Sequence, residues 1–331
     1  MSLTALFDVA APAKLNLFLH IIGKRADGYH LLQSVFVLID WCDTLHFERR
    51  SDALLARHDL GSALPADDLC LRAARSLQLE SGVSLGADIS IDKQVPSGAG
   101  MGGGSSDAAS TLLALNRLWG LDWPLARLLP LGLRLGADVP FFLAGHNAWV
   151  EGIGERLTPM LIPPQNFAVV KPAASLQTGT IFSHPLLVRD SEAATIEGFT
   201  EASQTAGSLT SFGRNDLQPS AESQCPEVVE ALIWLSARFG NSRMTGSGSA
   251  VFAGRGGNTK DDTKDDTKDS APDNARGNTR GNTRDSPNAQ SQSAAAMFDA
   301  LPAGWTGRMC RSLERHPLSG WALQAQVGSE V

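Results

Sequence analysis

The stretch Ile91–Asn116, IDKQVPSGAGMGGGSSDAASTLLALN, decides how the chain folds. It begins inside an alternating apolar and polar run, Ala87 to Val95, whose period of two marks a half-buried strand. It ends inside a helix expected over Ser105 to Trp119, where Ala108, Leu112, Leu115 and Trp119 recur at spacings of 4, 3 and 4 and Gly120 is placed to stop it. Between the two lie five glycines, at 98, 100, 102, 103 and 104. Glycine accepts positive φ and lets other groups approach the main chain, so consecutive N–H groups can turn inward around an anion. The helix start adds its own unpaired donors and its dipole. A strand running through such a loop straight into an amphipathic helix is a phosphate cradle; a flexible linker seldom has those flanks.

The kind of cradle follows from what surrounds it. Gly98-x-Gly100-x-x-Gly103 satisfies the dinucleotide fingerprint in form. A Rossmann unit, however, needs a second strand ending in an acidic residue about 20 positions later. Here the helix leads instead to Leu121-Asp-Trp-Pro124. A Walker loop would close on Gly-Lys-Ser/Thr, whereas this loop closes on Gly-Ser-Ser-Asp and its nearest lysine, Lys93, precedes it. No H-R-D or D-F-G element of a protein kinase occurs. A third kind of nucleotide loop remains.

Two further stretches supply chemistry. In Ala11–Leu17, APAKLNL, Lys14 and Asn16 stand two apart and so share one face of a strand. In Gly136–Pro140, GADVP, Asp138 is expected in a tight non-helical corner, with Gly136 ending a helix and Pro140 biasing Val139 toward extended geometry. A third glycine element, Ser242–Phe252, reads strand, loop, strand, and the N–H groups of Gly246 to Gly248 could close over a phosphate from the other half. Singly these are a solvated lysine, a turn aspartate and a glycine hairpin; together they point to phosphoryl transfer.

The chain has 331 residues, more than the roughly 250–300 at which one core stops growing. Two domains are expected, 1–160 and 161–331, dividing near Pro159 to Pro164. Other strands are expected at Ala13–Ile22, Val35–Asp40, Phe167–Val170 and Ala250–Ala253, and a helix at Pro226–Phe239, with Val228, Leu232, Leu235 and Phe239 on one side and Gly240 ending it. The pattern is mixed helix and strand. Hydrophobic residues at 43%, charged residues at 19% and a mean hydropathy of -0.08 describe an ordinary globular chain. A net charge of -7 argues against nucleic-acid or anionic-membrane partners. No stretch reaches the ~18 apolar residues of a membrane helix, and Met1 to Lys14 lacks a basic start followed by an apolar run, so a cytoplasmic protein is expected. The four cysteines, 42, 70, 225 and 310, lie far apart and read as free thiols. Gly254 to Ser293 sets seven Lys/Arg against seven Asp with hardly any apolar side chains, and is expected to be a disordered insertion.

With these residues on the page, the chain resembles the GHMP small-molecule kinases. The resemblance rests on the central stretch, on PAKLNLFLHIIGKRADGYHLLQSVF at 12–36, LGADVPFF at 135–142, ASLQTGTIF at 174–182, RNDLQP at 214–219 and SRMTGSGSAVF at 242–252. It implies an α+β fold of two domains, the first like ribosomal protein S5 domain 2 and the second ferredoxin-like. It implies ATP-dependent phosphorylation, with Mg²⁺, of the 2-hydroxyl of a cytidyl-linked methylerythritol. Carried onto this sequence, it makes Asp138 the general base and Lys14 its partner. The ATP phosphates fall to Pro96, Ser97, Gly98, Ala99, Gly100, Met101, Gly102, Gly103, Gly104, Ser105 and Ser106, with Ser105 or Ser106 on the metal. Tyr29, His30 and Phe182 match the cytidine element, and Asn16, Lys93 and Thr178 match substrate contacts. Asp68 replaces an asparagine near the purine pocket and, as a carboxylate, cannot donate to a purine nitrogen. Pro130 is expected to interrupt the helix before Gly136, and Met244 stands where leucine is common. Rival readings are a relative acting on mevalonate-type, homoserine or sugar acceptors, a catalytically silent nucleotide binder, and an RNA-interaction module. Asp27–His30, DGYH, disfavours the first, the retention of Lys14 and Asp138 the second, and the acidic balance the third.

Overall fold

A computed structural model describes residues 3–254 and 297–322. Apart from Gly254, the tract expected to be a disordered insertion lies outside the described residues.

Two long strands, β1 (Ala5–Lys24) and β2 (His30–Arg50), form an antiparallel hairpin whose turn is closed by Gly28 at φ 92°. They join β3 (Leu55–Asp59), β4 (Gly86–Asp92), β5 (Ala148–Glu151) and β6 (Arg156–Pro159) in a six-stranded sheet. Its order is β3-β4-β2-β5-β6, with β1 paired to β2. One face carries α1 (Leu69–Ser81), α2 (Gly103–Leu118), α3 (Leu125–Leu135) and α4 (Val139–Ala144). A second sheet, order β10-β7-β9-β8, is built from β7 (Asn166–Lys171), β8 (Arg243–Met244), β9 (Val251–Gly254) and β10 (Thr306–Arg311). All its pairings are antiparallel and α8 (Pro226–Phe239) packs on β7 and β9, as the ferredoxin-like expectation requires. Helices α5 (Thr178–Ser183), α6 (Ile196–Ala206) and α7 (Gln218–Gln224) complete this half. The fold is α+β, as the resemblance implied.

The first sheet is covered on both faces, and strand periodicity decides which residue meets which cover. Along β2, Phe36 and Leu38 face the helices, while Val35, Val37 and Ile39 face the second sheet, meeting Phe167, Val169 and Phe252. Along β1, Ala13, Leu15 and Leu17 take the second-sheet side, so Lys14 and Asn16 turn toward the helices. A register shift between Asn16 and Leu19 then lets the consecutive Leu17 and Phe18 join the same core. Full burial of a Leu or Phe is worth roughly 1.5–3 kcal/mol, and a one-residue slip would forfeit several at once.

Several local expectations are corrected. Helix α2 starts at Gly103 rather than Ser105, with Gly102 at φ 71° as its N-cap. Pro130 does not interrupt α3, because burial of Leu128 and Leu131 on either side holds the helix through the missing hydrogen bond. Pro140 does not extend Val139: it occupies the first turn of α4, where no N–H is needed. The last described stretch also leaves the second half. Leu313 N–H bonds to Leu38 O at 2.8 Å, His316 N–H to Gly145 O at 2.9 Å, and Leu318 and Ala322 are buried in the helix-side core.

Candidate active site

A cavity of about 580 Å³ opens between the two halves, lined by Lys14, Asn16, the loop from Pro96 to Ser105, Asp138, Thr178, Phe182 and the turn from Gly246 to Gly248. The loop is shaped by Gly98, Gly100 and Gly102, with φ of 62°, 71° and 71°. Its carbonyls are engaged elsewhere: Gly98 O accepts from Ser249 N, Ala99 O from Ala250 N, and Met101 O from Lys14 N, at 3.0 to 3.2 Å. The N–H groups from Gly100 to Ser105 have no acceptor among the described residues. A helix start with free donors beside a cavity suits an anion.

The third glycine element is a β8–β9 hairpin whose turn interlocks with this loop. A Cβ on Gly100 would stand 2.3 Å from Thr245 O, and one on Gly246 would stand 2.5 Å from Gly100 O. Neither position admits a side chain. The two glycine segments therefore meet main chain to main chain, one from each half.

Lys14 and Asp138 converge at the cavity, with Nζ to Oδ2 at 3.5 Å. The lysine side chain is 4% exposed and the carboxylate 31%, so the carboxylate reaches the open space. Lys14 Nζ donates to Asn16 Oδ1 at 2.6 Å and lies 4.4 Å from the centre of the Phe36 ring. Burial lowers the Lys14 pKa from the ordinary lysine value, and Asp138 opposes that shift.

Lys93 lines the same cavity but is differently engaged. Its Nζ donates to Asp43 and to Asp107, the latter at 2.5 Å, beneath the glycine loop. Asp43, wholly buried in β2, also accepts from Gln94 N at 2.6 Å and Val95 N at 2.7 Å. This ion cluster fastens the entry of the loop to the first turns of α2. Burial works to lower the Lys93 pKa, but Asp107 and Asp43 outweigh it and the net shift is upward. Burial, aided by Asp43 and opposed by Lys93, pushes the Asp107 carboxyl up to about 8.

On the acceptor side, Thr178 Oγ1 and Ser247 Oγ are 2.8 Å apart, and Phe182 lies 5.2 Å from His30, ring centre to ring centre. Burial and the neighbouring Arg189 hold the His30 pKa below its usual value. His30 and Tyr29 do not line the cavity; Tyr29 is 59% exposed on the β1–β2 turn. Asp68 lines the cavity and caps α1, accepting from Leu71 N at 3.0 Å while paired with Arg57 at 2.9 Å.

A divalent cation is implied by the nucleotide. Among the described residues no group of three or more His, Cys, Asp or Glu forms a cation site, so the donors fit Mg²⁺ only as a partner to phosphate oxygens. Ser105 lines the cavity, while Ser106 Oγ is buried off the lining and without a partner among the described residues.

Sequence reasoning missed Asp43, Asp107 and Thr245. Asp107 and Thr245 lie in stretches read for their glycines; Asp43 is distant in sequence from what it touches, and no local pattern marks it.

Residues 68–146 match the GHMP kinases N terminal domain and residues 199–253 the GHMP kinases C terminal domain. The chain is 60% identical over 322 residues to 4-diphosphocytidyl-2-C-methyl-D-erythritol kinase of Methylibium petroleiphilum, covering 97% of this chain and 100% of that protein. It is 52% identical to the enzyme of the same name from Albidiferax ferrireducens, covering 98% and 99%. A crystal structure of 4-(cytidine 5'-diphospho)-2C-methyl-D-erythritol kinase superposes with a TM-score of 0.69 at 30% identity, over 92% of this chain and 98% of that one. A homoserine kinase from Cytophaga hutchinsonii shares the fold, with a TM-score of 0.61 at 16% identity. The interlocked glycine segments, the paired lysine and aspartate, and this full-length similarity have one reading: the chain belongs to the GHMP kinase family.

Proposed function

We propose that the protein transfers the γ-phosphoryl group of ATP to the 2-hydroxyl of 4-diphosphocytidyl-2-C-methyl-D-erythritol, giving ADP and the 2-phosphate. The observation that carries this is the Lys14–Asp138 pair opening on the cavity that the glycine loop also lines; the full-length relatives support the acceptor. Asp138 takes the proton from the attacking hydroxyl. The Lys14 ammonium, desolvated and facing a single carboxylate, orients that hydroxyl and offsets charge building on its oxygen. Main-chain N–H groups from Gly100 to Ser105 hold the phosphates in line. Ser105, with the phosphate oxygens, would hold Mg²⁺, which would supply charge neutralisation at the transferring group. Thr178 lies where the acceptor enters. His30 and Phe182 already touch, so the cytosine stacks on the cavity-facing side of Phe182. Asn16 and Lys93 serve the site through Lys14 and the glycine loop.

The test is ADP release by purified protein with Mg²⁺ and ATP against a panel of acceptors. Turnover is expected with the cytidyl-methylerythritol compound and not with mevalonate or homoserine; equal turnover with mevalonate would overturn the assignment.

A further inference from the structure

The Lys14 ammonium is positioned by a hydrogen-bond relay whose far end belongs to the other half of the molecule. Its shortest contact is not Asp138, at 3.5 Å, but Asn16 Oδ1, at 2.6 Å. Which way the Asn16 amide points is fixed by its neighbours. Its Nδ2 donates to Ser34 Oγ at 3.0 Å, and that hydroxyl already donates to Phe18 O at 2.5 Å, so a flipped amide would set NH₂ against the ammonium.

Thr245 completes the hold. Its Oγ1 accepts from Asn16 N at 3.0 Å and donates to Asn16 Oδ1 at 3.3 Å, and the residue is wholly buried. Thr245 is itself clasped on both sides, because Asn215 Nδ2 donates to Met244 O at 2.7 Å and to Gly246 O at 2.9 Å. Its carbonyl is the atom that a Cβ on Gly100 would strike. One residue of the second half thus touches the glycine loop through its main chain and the lysine's support through its side chain.

We propose that Thr245 is a positioning residue that aims the Lys14 ammonium through Asn16, so that seating of the β8–β9 glycine turn at the nucleotide cavity sets the catalytic pair. This rests on the kinase reading above, and displacing a reacting group by about 1 Å can cost about 10²-fold in rate.

Thr245→Val keeps the shape and removes the hydroxyl, while Thr245→Ser keeps the hydroxyl. The expected result is a kcat about 10- to 100-fold lower for Val and within about 3-fold of wild type for Ser, on the misplacement scale just given, with the KM for ATP little changed. A second arm needs no substrate. Acetylation of Lys14 by acetic anhydride, followed by peptide mass, is expected to speed up in Thr245→Val and stay slow in Thr245→Ser. Wild-type kcat in the Val protein, equal losses in both variants, or unchanged Lys14 labelling would overturn the proposal. Should Thr245→Val unfold, Thr245→Ala carries the same arms without steric demand. If the wild-type protein fails to turn over the cytidyl acceptor, the acceptor assignment falls, and the labelling arm still decides the role of Thr245.

Discussion

Lys14, buried, and Lys93, half-buried, both line the cavity beside the glycine loop, yet their surroundings give them opposite characters. Lys14 faces one partly exposed carboxylate at 3.5 Å, a neutral amide and the face of Phe36. Lys93 sits between two buried acidic side chains, Asp43 and Asp107, with side-chain exposures of 0% and 5%. The first lysine has less countercharge than its burial calls for, so its ammonium is left to act on whatever anion enters. The second is gripped by two acidic side chains and serves as a fastening. Burial alone does not separate the two lysines; the number of acidic side chains that grip each one does.

The largest effect expected falls on the working pair. Asp138→Asn removes the proton acceptor and is expected to lower kcat by about 10²–10⁴-fold, while titration with a fluorescent nucleotide analogue shows binding retained. Turnover within a few-fold of wild type would erase the distinction between the lysines. Next comes the fastening. Lys93→Met leaves the buried Asp43 carboxylate, beside the Asp107 carboxyl, without its counterion, and breaking a buried pair from one side costs about 3–5 kcal/mol, read as a lower denaturant midpoint. Lys14→Met should cost far less stability, since Asp138 can turn to solvent, but abolish turnover. Equal midpoints for the two methionine variants would break the comparison.

The smallest effect is one of pH. Lys14 has a lowered pKa, so the ammonium, and with it kcat, is lost below the usual range of lysine. Lys93 has a raised pKa: the stability it contributes is present at lower pH and is lost only as pH rises through that raised value. On alkaline titration, activity is therefore expected to fall while the thermal midpoint holds. Loss of the two together would mean that unfolding, and not Lys14, sets the alkaline limb.

Much of this was legible in the sequence, for reasons that are local. Helix α8 runs over the expected Pro226–Phe239 because a proline at the first turn and Gly240 at φ 76° mark its ends without help from packing. The glycine loop announces itself by its flanks, and Lys14 and Asn16 share a face because strands alternate. What stayed hidden depends on pairing across the chain. Asp43 reaches Lys93 only because β2 pairs with β4, and β2 itself is far longer than its apolar run, continuing through Asp40, Asp43 and Glu48. Thr245 meets Asn16 across 229 positions. The prolines at 130 and 140 were misjudged because burial and helix-start geometry outweigh a residue's average preference.

The return of Ser312 to Ala322 onto the first sheet denies the two halves autonomy. A cut near residue 160 would part the sheets but leave the first half without a strap that belongs to its own interior. That strap ties His316 to Gly145 at the end of α4, the short helix that Asp138 opens. Asp138 therefore sits on a corner braced by nearly the last residues that the structure describes, and whatever loosens that strap also slackens its footing.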